Sequence, residues 1–391
     1  MHGHLDNTYW IAVAHLPRWQ TDRINRLIIQ IIHEKKLSWA GFFESDRKGW
    51  KELFAFSDKE LLDIENAKND LPRLAFIAEQ LQNEGFHLIP INSPDYPVVL
   101  KENLKTKSAP PVIYIKGRKG LFQEDAVAIV GSRNAGKEAL NFTDHIAKKC
   151  VGECKVIVSG FAKGVDKQAL DSALEAHGKS IIVLPQGILT FQTGFKKYYE
   201  QIVNGEVLVM STFFPKAGWE VGLAMSRNVF IYGLAKEIFV AESDSKGGTW
   251  EGAMDGLNRH RKIYVRYPGT KEKNANLRLI EFGAIPMNIK GDSIDLKNGQ
   301  VKELFVEQNE KSFLEEQAID YKSPPRNIET EILNLLRNGC YSSNEIIMAL
   351  KLDWDSRKLS GILKKNPNIK IYGGKPAKFG LNDAITPSLF G

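Results

Sequence analysis

The sequence predicts an α/β protein: a doubly wound, Rossmann-like parallel sheet with a helical region before it and a winged-helix region after it. Over residues 125–290, short runs of β-branched residues alternate with helical segments, and several of these runs lead into glycine-rich turns. Near-continuous apolar strands separated by helices indicate a parallel sheet that is covered on both faces. In such sheets, ligands bind beyond the carboxyl ends of the strands.

Residues 1–88 carry a helical pattern. Aliphatic residues recur at helical spacing between Leu27 and Ile32, and a capping-box sequence opens a helix at Ser57. A separate, longer helix is expected over residues 71–83. These short amphipathic helices predict a small helical domain over residues 1–88.

Residues 89–290 form the predicted sheet domain. Prolines break any helix at its start, and an apolar strand follows at residues 112–115. The strands predicted after it are residues 126–130, 156–158, 181–184, 207–209, 238–240 and 263–265.

The rest of the chain predicts a linker and a compact C-terminal domain. Residues 291–325 are polar and irregular, as in a linker. Within residues 326–391, three short helical patterns precede a hairpin around Gly373 and Gly374. Three helices followed by a hairpin are the arrangement of a winged helix-turn-helix.

Bulk composition narrows the functional classes. The chain has 391 residues and a formal net charge of +6, a mild excess that is compatible with a polyanionic partner. It shows neither a signal peptide nor the run of about 20 apolar residues that spans a bilayer. We therefore expect a soluble, cytoplasmic protein with no membrane partner. Three cysteines, of which Cys150 and Cys154 are expected to be buried thiols, favour neither a disulfide framework nor a metal site.

The first strand of the series runs into GSRNAG, residues 131–136. Gly131 permits close approach of the backbone, and the helix that follows presents free N–H groups and a positive dipole end. Ser132 adds a hydroxyl, and Arg133 a guanidinium suited to phosphate oxygens. The spacing is neither a dinucleotide-binding motif nor a P-loop, so no cofactor is predicted. A plain strand-to-helix turn fits these residues as well as an anion site does.

The second strand ends in the same way, with Ser159, Gly160 and Lys163 before a helix. Turns after parallel strands emerge at one edge, and two anion-accepting turns side by side suit a phosphodiester chain better than one small ligand. We expect Asp166 to cap its helix rather than to catalyse a reaction. Further residues expected at this edge are Arg227, Asn228, Lys246, Gly247, Gly248 and Thr249.

The chain resembles the DprA (Smf) family in the segments AIVGSRNAG, VIVSGFAKGVDKQAL, IIVLPQG and SRN and in the loop with two glycines, in that order. DYPVVLKEN and PPVIYIKG resemble the segments that precede that family's Rossmann-like domain, the helical region resembles its sterile-alpha-motif-like (SAM-like) domain, and the tail its C-terminal domain. The resemblance implies a non-enzymatic protein that binds single-stranded DNA, dimerises through the Rossmann-like domain and helps to load a RecA-type recombinase in natural transformation. The DNA contacts that it implies are Ser132, Arg133, Ser159, Gly160, Lys163, Arg227 and Asn228.

Departures from the family pattern indicate a divergent member and leave two alternatives open. Lys163 replaces an arginine, Val229 stands where a second arginine is usual, and Glu251 would bring a carboxylate near the pocket. One alternative is a regulatory or antitoxin protein that acts with an operon-encoded partner in phage defence. The other is a nucleotide N-glycosidic hydrolase, because the loop before Glu251 is similar to that of lysine-decarboxylase-like proteins.

Aromatic residues near the predicted site would offer stacking surfaces for bases, although most large apolar side chains are expected in the core. They are Phe161, Phe191, Phe195, Tyr198, Tyr199 and Trp219.

Overall fold

A computed structural model describes residues 2–269, 272–295, 332, 335–336, 339–350, 352, 354–364, 366, 369–372 and 377–381. Most of the predicted linker, together with Gly373 and Gly374 of the predicted hairpin, lies outside the described residues. The chain divides into two compact units, Met1–Gln308 and Asn309–Gly391. Within the described part of the chain, no helix is long and apolar enough to cross a membrane.

The chain begins with a helical region, which we call the head. Its helices are α1 (His2–Ala14), α2 (Thr21–Ile29), α3 (Trp39–Glu44), α4 (Arg47–Phe54) and α5 (Asp58–Asn83), and a π-helical turn, Gln30–Glu34, extends α2. The capping box at Ser57 is present, with Glu60 as its partner, and it begins α5 as predicted.

The prediction of a separate helix over residues 71–83 was wrong, because α5 is continuous through Pro72. Proline removes a backbone donor and usually ends a helix. Here Leu61 and Ile64 before the proline, and Leu74 and Ile77 after it, are all buried in one hydrophobic cluster. We infer that this packing offsets the hydrogen bond that the proline removes.

The sheet region follows directly after the head. Its strands are β1 (His87–Pro90), β2 (Val112–Lys116), β3 (Ala126–Val130), β4 (Val156–Ser159), β5 (Ser180–Val183), β6 (Val207–Ser211), β7 (Glu237–Val240), β8 (Lys262–Arg266) and β9 (Ile285–Met287). Its helices are α6 (Val98–Ser108), α7 (Lys137–Gly152), α8 (Val165–Glu175), α9 (Gln192–Lys197), α10 (Tyr199–Val203), α11 (Val221–Ser226), α12 (Asn228–Leu234), α13 (Gly248–Asn258) and α14 (Asn276–Glu281).

These strands form one nine-stranded sheet in the order β1-β2-β6-β5-β4-β3-β7-β8-β9. From β6 to β9 every neighbouring pair is parallel, whereas β2 pairs antiparallel with β6 and β1 antiparallel with β2. The predicted α/β class with a mostly parallel central sheet is therefore confirmed. The short β1 was not predicted, since its four residues include a proline.

The core lies on both faces of this sheet. Along β3, Val127 and Ile129 pack in a cluster with α7 and α8, whereas Ala128 and Val130 pack in a second cluster with α12 and α13. This alternation follows from the two-residue period of a strand. Cys150 lies in the first cluster, but Cys154 is exposed, so its predicted burial was wrong. Cys154 falls beyond the end of α7, in a turn.

The head and the sheet region share a third hydrophobic cluster, which combines α1, α2 and α5 with residues of β2, β5 and β6. Two polar contacts join them as well. His15 Nε2 lies 2.9 Å from the hydroxyl oxygen of Tyr114, and Asn25 Nδ2 donates to the carbonyl of Ala109 at 2.8 Å. The domain boundary near residue 88 stays a prediction.

The described part of the second unit contains β10 (Tyr341–Ser342), α15 (Ser343–Leu350), α16 (Ser356–Leu363), β11 (Ile369–Tyr372) and β12 (Lys378–Leu381). The strands form an antiparallel sheet in the order β10-β12-β11. Ile346, Leu359 and Phe379 are buried together in a small core of this unit.

Candidate phosphate-binding site

The two predicted glycine-rich corners touch each other at the carboxyl edge of the sheet. They follow β3 and β4, which are adjacent and parallel. The Val165 N–H donates to the carbonyl of Ser132 across the junction, at 3.3 Å. Gly164 has a φ of +76°, and a Cβ there would lie 2.4 Å from the Ser132 oxygen. Only glycine therefore fits at this junction.

A third turn, after β7, lies on the other side of the β3 corner. Ser132 donates its N–H to the carbonyl of Glu242 at 2.9 Å. The side chain of Glu242 also accepts from the N–H of Gly136, at 3.2 Å, so a carboxylate already occupies part of the N-terminus of α7. No sequence pattern described above marked Glu242. Its position two residues beyond a parallel strand is the signal that could have identified it.

These turns enclose a cleft of about 340 Å³, which we call the edge cleft. Most of the predicted binding residues line it: Gly131, Ser132, Arg133, Arg227, Asn228, Lys246, Gly247, Gly248 and Thr249. The structure therefore brings together residues more than 100 positions apart that were selected from sequence alone.

Two cations of the edge cleft are open to solvent. Arg133 and Lys246 are both exposed, and neither forms an ion pair within the described part of the chain. They come from the turns after β3 and β7, which are neighbouring parallel strands. An anion in the edge cleft would meet two cations that form no ion pair among the described residues, with the exposed carboxylate of Asp244 in the same lining.

Arg227 also lines the edge cleft, but its guanidinium is buried, with only 3% of the residue exposed. One nitrogen donates to the carbonyl of Val183 at 3.1 Å, and another lies 3.7 Å from Asp166. The same group packs onto Gly160, where a Cβ would lie 1.5 Å from a guanidinium nitrogen. Arg227 thus supports the β4 corner from within, and its predicted contact with DNA stays a prediction.

Asp166 is the buried partner of Arg227. Burial raises the pKa of its carboxyl group, and the charge of Arg227 and hydrogen bonds from the backbone N–H groups of Ala162 and Gly160 oppose that rise. The carboxylate therefore uses donors of the β4 corner that would otherwise face an anion. Asp166 is among the residues that line the edge cleft, but it is buried against Arg227.

Three predicted residues do not line the edge cleft. Ser159 is buried and donates its hydroxyl to the carbonyl of Ile129 at 3.0 Å. Gly160 lies beneath the guanidinium of Arg227. Lys163 is exposed on the β4 corner outside the cleft lining.

The loop with two glycines approaches Asn228 closely. Gly247 has a φ of +94°, and a Cβ on Gly248 would lie 2.0 Å from the Asn228 amide nitrogen. Glu251 is exposed in the first turn of α13 and is not among the residues that line the cleft. Glu251 was expected near the pocket, and it lies two residues beyond Thr249, which lines the cleft, on a different face of the helix. Asp244 is the exposed carboxylate of the cleft instead.

Most of the aromatic residues considered for base stacking lie in the core. Phe161 packs edge-on against Phe191 at 5.1 Å and against Tyr198 at 5.7 Å, and Phe195 is buried with them. Tyr199 and Trp219 are exposed, and neither lines the edge cleft.

The fold and the cleft define a class: an α/β protein with an open, cation-bearing turn region at the carboxyl edge of a parallel sheet. The family model described as "DNA recombination-mediator protein A" matches residues 87–296, which is more than half of the chain and includes the whole sheet. The chain therefore belongs to the DprA (Smf) family.

Individual relatives agree with this assignment. Protein Smf of Synechocystis is 31% identical over 259 residues, which cover 63% of this chain and 64% of that protein. DNA processing protein DprA of Streptococcus pneumoniae is 33% identical over 162 residues, covering 41% of this chain and 57% of that protein. The match thus spans less than two thirds of the length of either relative.

One solved structure shares the fold. The X-ray structure of DprA from Streptococcus pneumoniae superposes with a TM-score of 0.53 and 22% sequence identity, covering 72% of this chain and 94% of that chain.

Proposed function

We propose that this protein binds single-stranded DNA by its phosphates in the edge cleft and acts in DNA processing and recombination without catalysing a reaction. The observation that carries the proposal is the pair of exposed cations Arg133 and Lys246, which form no ion pair among the described residues and lie on neighbouring turns of a glycine-rich cleft. Guanidinium groups, ammonium groups and backbone amides are the donors that phosphate oxygens take in proteins.

In this proposal some of the predicted residues line the edge cleft, and the others support the β4 corner or lie outside the cleft. Arg133 and Lys246 supply charge, and Ser132, Asn228 and Thr249 supply polar groups to the same strand. Gly131 and Gly248 let the turns pack closely, because a Cβ would lie 2.6 Å from Val165 and 2.0 Å from the Asn228 amide nitrogen, whereas a Cβ on Gly247 would meet nothing within 4 Å. Arg227, Ser159 and Gly160 hold the β4 corner in place, and Lys163 contributes charge from outside the cleft.

We further propose the assembly that family membership implies. It is a cytoplasmic homodimer formed through the Rossmann-like domain that acts with a RecA-type recombinase or with an operon-encoded partner. Exposed apolar side chains near the β9 end of the sheet, Phe282 and Ile285, support self-association there.

We also propose a SAM-like head over residues 1–88, the Rossmann-like domain over 89–290, a linker over 291–325 and a winged helix over 326–391. Two helices and an antiparallel hairpin in the second unit support the last of these.

A titration of fluorescent oligonucleotides tests the proposed function. Anisotropy is measured with a single strand and with a duplex of the same length, across a range of salt concentrations. Phosphate binding predicts that the logarithm of the association constant falls linearly with the logarithm of salt concentration, with little dependence on base sequence. A double variant, Arg133→Ala with Lys246→Ala, should bind every sequence more weakly and with a shallower salt slope.

The matched control is Lys59→Ala with Lys196→Ala, because both lysines are exposed, form no ion pair within the described residues and lie outside the edge cleft. Equal weakening of DNA binding in the control would mean that affinity depends on net charge rather than on the edge cleft. Unchanged affinity in the cleft variant would contradict the proposal. Release of free base from nucleoside monophosphates would instead favour the hydrolase alternative, for which the position of Glu251 offers no support.

A further inference from the structure

A second cavity lies between the head and the sheet. It measures about 630 Å³ and is lined by α1, by one face of α5 and by Phe214. We call it the head groove. None of its lining residues belongs to a sequence motif described above, and none of them lines the edge cleft.

The head groove opens at the same edge of the sheet as the edge cleft. Phe214 follows β6 by three residues, so it lies beyond the carboxyl end of that strand. His15, another lining residue, contacts the hydroxyl of Tyr114, which pairs in register with Ser211, the last residue of β6.

Two strands, β5 and β4, separate β6 from β3. Three strand spacings amount to about 14 Å between β6 and β3. The head packs on the sheet face that carries Ile182, whereas Ile231 and Tyr232 of the edge cleft pack on the opposite face, so a DNA strand that reaches both sites passes over the carboxyl edge and spans more than this spacing.

The floor of the head groove is apolar and aromatic. Ile11 and Leu74 are buried beneath it, and the guanidinium carbon of Arg73 lies 5.6 Å from the centre of the Phe214 ring. The ring of His15 meets Phe214 edge-on at 5.5 Å, and burial lowers the pKa of His15 to about 4, so this imidazole is neutral at physiological pH. A flat, uncharged ring is the ligand shape that such a floor accepts.

The rim of the head groove offers hydrogen-bonding groups but little net charge. Asn66 and Asn69 are exposed amides on α5, and neither has a hydrogen-bond partner among the described residues. Arg73 forms a two-bond pair with Asp70, and the two oxygens of Asp63 accept from Arg18 and from the Trp19 indole. The charged groups are therefore paired within the protein. The unpartnered amides remain to contact a ligand, as asparagine side chains do with base edges.

We propose that the head groove accepts unpaired nucleobases of the same DNA strand whose phosphates lie in the edge cleft. This inference rests on the proposed function of that cleft. The bases of a duplex are paired and stacked and do not reach a pocket of this kind, so the head groove favours a single strand over a duplex. Phosphate contacts in the edge cleft alone do not make that distinction.

A comparison of ordinary and abasic strands tests the proposal. Both probes are 20-nucleotide strands with the same phosphates, one of thymidines and the other with abasic sites throughout. The double variant Asn66→Ala with Asn69→Ala places a good helix former at two exposed helical positions, so the fold is retained. We expect it to bind the thymidine strand at least fivefold more weakly than the unmodified protein, as loss of one base contact predicts, and to bind the abasic strand equally well.

The control is Gln82→Ala with Asn83→Ala, two exposed amides at the far end of the same helix that do not line the head groove. Its affinity for both strands should be unchanged. A thymidine strand carrying 5-iodouracil should, on irradiation, cross-link to the tryptic peptide that contains Phe214.

The outcomes separate this inference from the proposed function. Absence of binding to either strand by the unmodified protein would contradict the edge cleft itself. Binding of both strands with equal affinity by the unmodified protein and by the groove variant, without a cross-link to the Phe214 peptide, would overturn the head groove and leave the edge cleft standing.

Discussion

The two glycine-rich corners resemble each other in sequence but differ in what they offer a ligand. The β3 corner presents an exposed arginine, Arg133, to the edge cleft. At the β4 corner, side chains of the protein already contact the backbone of the turn. Asp166 accepts from the backbone N–H groups of the corner, and Arg227 packs onto Gly160. A corner of this kind can bind an external anion only where its donors are not already used. In the proposed function, similar motifs therefore serve recognition at the β3 corner and structural support at the β4 corner.

The largest effect expected from this comparison is on folding. Replacing Arg227 by alanine removes the buried partner of Asp166 and leaves an uncompensated carboxylate, which should lower the free energy of unfolding by about 3–5 kcal/mol. Urea denaturation followed by circular dichroism measures this loss. The double variant with Asp166→Asn should recover part of it, because the two side chains are coupled. A single Arg227→Ala variant as stable as the unmodified protein would show that the β4 corner does not depend on this pair.

The junction between the corners should be the next most sensitive point. Gly164→Ala forces a side chain into a positive-φ position, 2.4 Å from the carbonyl oxygen of Ser132. We expect a loss of about 1–3 kcal/mol in the free energy of unfolding. Gly85→Ala is the matched control, since Gly85 also has a positive φ, +71°, but a Cβ there meets nothing within 4 Å. Similar losses in the free energy of unfolding of the two variants would mean that the close contact between the corners adds nothing to the cost of the positive φ.

The sequence predicted the sheet well because its strands are buried on both faces and read as uninterrupted apolar runs. It also identified the residues of the edge cleft, since turns after parallel strands must share an edge. It did not identify Glu242, whose role depends on β7 lying next to β3. Glu242 and the Gly136 N–H that it accepts from are 106 positions apart in the chain. Nor did the sequence show that Arg227 is buried, because burial is set by packing against Gly160.

Arg133 should affect DNA binding rather than folding. Arg133→Ala is expected to weaken single-strand binding roughly tenfold, or about 1.4 kcal/mol, while leaving the free energy of unfolding unchanged. The salt slope should become shallower by about one unit. Lys163→Ala, on the β4 corner, removes an equally exposed cation and should cost only about two- to threefold, because Lys163 lies outside the cleft lining. Equal losses at the two positions would contradict the distinction between the corners.

The smallest expected effect is a gain. The carboxylate of Glu242 accepts from the N–H of Gly136 and so places negative charge at the N-terminus of α7, beside the β3 corner. Glu242→Gln keeps an acceptor oxygen for that N–H but removes the charge. Single-strand affinity should rise about threefold, in line with the 0.3–1 kcal/mol typical of a charge at a helix end.

The control for this last variant is Glu138→Gln, which removes an exposed carboxylate from the first turn of the same helix. Neither carboxylate lines the edge cleft, but only Glu242 accepts from an N–H of the β3 corner, so replacement of Glu138 should change affinity by less. If both variants bind DNA equally tightly, the gain reflects net charge alone. If Glu242→Gln binds more weakly, the carboxylate serves mainly to hold the turn, and the β3 corner resembles the β4 corner more closely than the structure indicates.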